Sequence, residues 1–171
     1  LSNAVRRMSE GELLQIEKAR LLDIDEETYF RIISDKTASL ISACTKSGAV
    51  SVTDDEALVE RMDRFGETLG LAFQIRDDLF DFSVEDAGKP IGIDLQEKKM
   101  TLPLIVSLRE AGRRDQKRIL KIVDQDEKDR DDLRTIAAFV EEHGGIAHAR
   151  RKMESLAAEA RSLLSGLPPS E

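Results

Sequence analysis

The chain has 171 residues, 40% of them hydrophobic and 35% charged, with a formal net charge of −8 and one cysteine. That length is enough for one domain with a substantial core. The acidic balance argues against general nucleic-acid binding, no apolar run approaches the roughly 20 residues that span a bilayer, and Cys44 alone cannot form an internal disulfide, which points to a reducing cytoplasm.

Strand signals are nearly absent. Apolar residues recur at i, i+3, i+4 and i+7, the spacing of amphipathic helices. The pattern predicts a first helix from about Ser2 to Leu22, then a second from about Glu26 to Lys46. The second is capped by Asp25 and closed near Gly48. Thr53-Asp54-Asp55-Glu56 reads as a capping box opening a long third helix to about Phe82. The stretch from Ser83 to Met100 reads as a loop. A short helix follows around Pro103, where proline suits a first turn, and Gly112 ends it. Further helices fit Gln116 to Val123, Asp131 to Glu142, and Ile146 to Leu164. No internal repeat is present, and the expectation is an all-α helical bundle.

The third helix carries the most chemistry. On a helix of 3.6 residues per turn, Gln74, Asp77, Asp78 and Asp81 fall within an arc of roughly 100°. Apolar residues such as Leu69, Ala72, Ile75 and Phe82 occupy the rest. The acids stand at the negative end of the helix dipole, where each costs about 0.3 to 1 kcal/mol. A compensating cation is the functional explanation, and an all-oxygen set suits Mg²⁺. A solvated acidic face is the plain alternative.

A second clue lies upstream. Tyr29, Ile32, Ile33, Leu40, Ile41 and Cys44 form an inward stripe on the second helix, and Lys36 and Thr37 fall on it. A core-facing lysine needs a partner or water. It either aims into a cavity to hold a phosphate or snorkels to solvent at the rim. The loop after the acidic helix holds Lys89, Asp94, Lys98 and Lys99, with Gly88 and Gly92 allowing close backbone approach. His143 and His148 read as surface or helix-end residues. Cys44 reads as core, and Arg113-Arg114 and Arg150-Arg151-Lys152 read as solvated helix faces.

Taken together, these strings resemble the trans-isoprenyl (polyprenyl) diphosphate synthases. Gly11-Glu12-Leu13-Leu14-Gln15 resembles the segment after that family's first catalytic region, and Lys36-Thr37 matches its Lys-Thr pair. Phe73-Gln74 with Asp77-Asp78-Leu79-Phe80-Asp81 matches its second aspartate-rich motif. Gly88-Lys89-Pro90, Gly92-Ile93-Asp94-Leu95 and Lys99-Met100-Thr101-Leu102-Pro103 match the loop and helix start that follow. Each string is weak alone, but their order and spacing are specific.

The resemblance implies an all-α bundle of the isoprenoid synthase type around a deep cavity, in a homodimer. It implies that Asp77, Asp78 and Asp81 bind Mg²⁺ at the diphosphate of an allylic substrate. Lys36, Lys89 and Lys99 would contact that diphosphate, and Thr37 and Gln74 would sit beside the forming carbocation. The implied reaction condenses isopentenyl diphosphate head-to-tail with an allylic diphosphate. The family's first aspartate-rich motif and its isopentenyl-diphosphate-binding basic residues have no counterpart in the sequence. The expectation is therefore an internal, mostly C-terminal piece of a synthase, incomplete at both ends and inactive alone. A non-catalytic small subunit or helical interaction partner of such a synthase is the alternative.

Overall fold

Helices with one apolar stripe each can bury those stripes only against one another. In a computed structural model, which describes residues 2–82 and 92–167, every regular element is a helix. They are α1 (Ser2–Leu21), α2 (Glu26–Ile33), a π-helical turn (Ser34–Ala38), α3 (Ser39–Val50), α4 (Glu56–Phe80), α5 (Ile93–Gln96), α6 (Leu102–Glu110), α7 (Arg113–Val123), α8 (Arg130–Glu142) and α9 (Gly145–Leu163). The all-α class expected from the sequence is what forms. The long α4 is the axis, packed along both α3 and α9. The core gathers Tyr29 and Ile33, Ile75 of α4, Leu95 of α5 and the buried faces of α6 to α9. Helix α6 is buried continuously from Leu102 to Leu108, as befits a helix that is apolar on all sides.

Several expectations need correction. The second helix is not one uniform α-helix to Lys46. Five π-helical residues interrupt it, and it runs past Gly48 to Val50. A π-turn holds one more residue than an α-turn, so each later side chain rotates by about 100°. The inward stripe therefore shifts by one position. Ala38, Ser39, Ser42 and Ala49 are buried, while Leu40 and Cys44 are exposed. Cys44 is thus not a core residue.

The third helix is capped by Asp55, whose carboxylate accepts the Ala57 and Leu58 N–H groups, and not by Thr53. Thr53 instead accepts the Asp55 N–H at 3.1 Å. The expected loop from Ser83 to Met100 contains α5. The expected cap at Asp25 forms, its side chain accepting the Thr28 N–H at 2.7 Å.

Two glycines set the spacing that positions the site. A Cβ built on Gly11 of α1 would lie 2.8 Å from the Lys36 backbone nitrogen. One built on Gly70 of α4 would lie 2.5 Å from Ala38 Cα. Both α1 and α4 thus reach van der Waals contact with the π-turn only because these positions lack side chains.

Candidate functional site

Gly70 and Gln74 are one turn apart on α4, so the close approach of Gly70 to Ala38 brings Gln74 opposite Thr37. The Thr37 hydroxyl donates to Gln74 Oε1 at 2.8 Å. The Gln74 amide in turn donates to Asp78 Oδ1 at 3.1 Å. Asp78 receives a second bond at 2.7 Å from the Tyr29 hydroxyl on α2. A chain of side-chain hydrogen bonds therefore runs from half-buried Thr37 and Gln74 to buried Asp78 and Tyr29. It fixes which end of the Gln74 amide faces which neighbour.

Asp78 is only 4% exposed. Burial pushes its carboxyl up to about 6, against the lowering effect of the Tyr29 and Gln74 bonds, with Asp94 and Asp77 adding to the rise. Burial likewise lifts the Tyr29 hydroxyl well above the usual tyrosine range, reinforced by the Asp78 charge. Asp77, the neighbouring acid, is exposed. It lines the cavity described below and makes no hydrogen bond or ion pair among the described residues.

Asp81 behaves differently. It lies one residue past the end of α4, as its C-cap. Its carboxylate accepts the backbone N–H groups of Asp94 and Leu95 at 3.2 and 3.3 Å. Helix α5 begins at Gly92, which has no capping side chain of its own, so Asp81 caps it from across the fold. Burial raises the Asp81 carboxyl, opposed by the Asp94 backbone bond and supported by the Asp94 charge. Asp81 is not among the residues lining the cavity.

The cavity, of about 210 Å³, is lined by Gln15, Ala19, Ile24, Tyr29, Ile32, Ile33, Lys36, Gln74, Asp77, Asp78, Asp94, Lys99, Met100 and Thr101. Two amines, two neighbouring acids and an apolar wall thus share one space. Lys36 reaches back to α1, with Nζ 2.8 Å from both Gln15 Oε1 and Glu12 Oε2. Lys99 Nζ lies 2.7 Å from Asp94 Oδ1 and from Glu97 Oε2. Burial works to lower the Lys99 ammonium, but the bonds to Asp94 and Glu97 override it and hold the group above the usual lysine range.

The structure brings together Lys36, Gln74, Asp77, Asp78 and Lys99, and it places Thr37 one hydrogen bond behind Gln74. Asp81 does not line that cavity but bonds the backbone of Asp94, which does. Lys89 lies outside the described residues, as do Gly88 and Pro90. Among the described residues no cluster of three or more His, Cys, Asp or Glu side chains stands ready to hold a metal ion. Tyr29, Gln15 and Asp94 join the site although the sequence pattern assigns them no role in it. Tyr29 carried a signal, because a tyrosine on an inward stripe needs a partner for its hydroxyl. Gln15 closes the Gly11-Glu12-Leu13-Leu14-Gln15 string, but only the crossing of α1 over the π-turn brings it to Lys36.

The Polyprenyl synthetase family model matches residues 1–140 of the chain. A short chain isoprenyl diphosphate synthase of Methanothermobacter thermautotrophicus is 38% identical over 119 residues, 68% of this chain and 37% of that protein. Octaprenyl diphosphate synthase of Escherichia coli is 32% identical over 170 residues, 98% of this chain and 52% of that protein. The crystal structure of a polyprenyl synthase from Caulobacter crescentus, complexed with calcium and isoprenyl diphosphate, superposes with a TM-score of 0.90 at 32% identity. That likeness covers 99% of this chain and 52% of the other. The chain spans about half or less of the length of these curated relatives.

Proposed function

The chain belongs to the polyprenyl synthetase family, and on that premise we propose that its cavity is the allylic-diphosphate pocket of a prenyltransferase. The enzyme condenses isopentenyl diphosphate head-to-tail with an allylic diphosphate. The observation that carries this reading is the convergence of Lys36, Lys99, Gln74, Asp77 and Asp78 on one space with apolar walls.

The donor set fits a hard cation. Asp77 is exposed to the cavity without a partner among the described residues, and Asp78 beside it offers carboxylate oxygens. Mg²⁺ commonly takes one or two carboxylates and completes its shell with water and phosphate oxygens. Asp77 and Asp78 would hold it, with Asp77 the freer ligand. Asp81 serves the same site at a distance, by anchoring α5 and with it Asp94. When bound, the metal would offset the charge that builds on the departing diphosphate.

The remaining chemistry belongs to the chain. Lys36 and Lys99 hold the diphosphate and stabilise it as it leaves, with Lys89 joining them. Each amine must exchange its carboxylate partner for phosphate oxygens, which keeps it oriented before the ligand arrives. Gln74 and Thr37 present oxygen dipoles beside the allylic carbons. Ile24, Ile32, Ile33 and Met100 exclude the water that would quench a carbocation. The double bond of isopentenyl diphosphate then attacks, and a proton passes to the departing diphosphate. The lone, exposed Cys44 supports a reducing compartment, which we take to be the cytoplasm. Val5, Leu13 and Ile16 of α1, exposed and covered by no described residue, support a homodimer.

Calorimetric titration with geranyl diphosphate and Mg²⁺ tests the reading. Wild-type chain is expected to bind only with the metal present. Lys99→Ala and Asp77→Asn should each weaken binding about tenfold or more, as loss of a charged contact does. A folded wild-type sample that binds nothing would sink the proposal.

A further inference from the structure

Thr101 stands immediately before α6 with a hydroxyl that nothing among the described residues engages. The residue is only 4% exposed, and Oγ1 itself is buried. Buried hydroxyls are ordinarily paired, so an unpaired one calls for a reason. A threonine in this position usually caps its helix by accepting an N–H from the second or third residue. Thr101 makes no such bond. Pro103 is the second residue and has no N–H to give. The start of α6 therefore does not use the hydroxyl.

Thr101 does line the cavity, with Lys36, Asp77 and Lys99. It follows Lys99 by two residues, so the two sit on one short segment of wall. It also stands at the positive end of α6, a buried nine-residue helix, where an anion is favoured. Among the parts of an isoprenoid ligand, only the diphosphate can satisfy a hydroxyl there. A hydrocarbon tail would leave it as unpaired as before.

We propose that Thr101 is a ligand contact whose hydroxyl donates to an oxygen of the diphosphate held by Lys99 and Lys36. This rests on the reading of the cavity as a diphosphate site. The hydroxyl is buried as it stands, so the side chain turns about χ1 to bring it to the cavity face when the diphosphate binds. Lys99 supplies charge to that end of the cavity and Thr101 supplies direction.

The test is Thr101→Val, which keeps the shape and removes the hydroxyl, beside Thr101→Ser, which keeps the hydroxyl. Binding of inorganic pyrophosphate, geranyl diphosphate and isopentenyl diphosphate is measured with Mg²⁺ by calorimetry, and melting is followed without ligand. The valine variant should melt no lower than wild type. It should bind pyrophosphate and geranyl diphosphate about tenfold more weakly, while the serine variant binds both like wild type. Wild-type affinity for pyrophosphate in the valine variant would overturn the proposal. So would a loss confined to isopentenyl diphosphate, or lowered melting with unchanged binding, which would mark a purely structural hydroxyl. If wild type binds none of the three, the diphosphate reading falls and takes this inference with it.

Discussion

Asp78 is the residue whose charge costs the fold most visibly. Its carboxyl rises from 3.8 to about 6 because burial outweighs the Tyr29 and Gln74 bonds. At ~1.36 kcal/mol per unit that shift amounts to about 3 kcal/mol. Below the unfolded value both states are neutral and the cost is absent. As pH rises towards 6 the unfolded chain ionises while the buried acid resists, so stability falls. Above 6 the full cost is in place. In metal-free chain, Asp78→Asn should therefore gain about 1 to 3 kcal/mol at pH 8 and almost nothing at about pH 3, read from urea denaturation at both. An equal gain at both pH values would mean that packing, and not charge, limits the wild type. A cation beside Asp77 would offset the same cost, so Mg²⁺ should narrow the difference between the two proteins. The stability cost and the proposed ligand binding are thus two sides of one burial.

At the scale of elements, the seam between α4 and the π-turn decides whether the site assembles. A Cβ on Gly70 would meet Ala38 Cα at 2.5 Å and Ala38 Cβ at 2.8 Å. Backbone cannot yield as a flexible side chain can. Gly70→Ala should lower stability by roughly 1 to 3 kcal/mol, even though alanine is the better helix former by about 0.5 to 1 kcal/mol. Gly48→Ala is the control, because a Cβ there meets nothing within 4 Å, and it should stabilise slightly. Urea midpoints for the pair give the comparison. The same seam explains what the sequence disclosed and what it concealed. The helices were legible because their 3.6-residue apolar repeats and caps such as Asp25 are local signals. Lys36, Gln74, Asp77 and Asp78 were legible because their spacing survives folding. The π-turn was not, since Ser34-Asp35-Lys36-Thr37-Ala38 carries no local mark of an extra residue. That hidden residue turned Cys44 and Leu40 outward. Asp81 keeps helical backbone angles at the end of α4 and turns its carboxylate to the N–H groups of Asp94 and Leu95, a bond across the fold that no local spacing announces.

At the scale of the whole molecule, charge and apolar surface pull in opposite directions. Val5, Leu13 and Ile16 of α1 are 60%, 67% and 44% exposed and fall on one outer face. No described residue covers them. Large exposed apolar side chains on one helix face mark an interaction surface. The net charge of −8 opposes association of two copies, and that repulsion weakens with salt because screening shortens its reach to about 8 Å at physiological ionic strength. Sedimentation velocity should therefore show concentration-dependent self-association that strengthens as salt rises from low to moderate levels. An ion-paired interface would weaken instead. The double substitution Leu13→Glu with Ile16→Glu should shift the chain to monomer. Its melting should change little, since exposed positions contribute within about 0.5 kcal/mol each. Glu12 is the neighbour of Leu13 and the partner of Lys36 at 2.8 Å, so α1 carries these apolar side chains on one side and a wall of the cavity on the other. Covering them would hold α1 against the π-turn, and with it Gln15 and Lys36. A monomeric variant that binds geranyl diphosphate as tightly as wild type would show that α1 needs no such support.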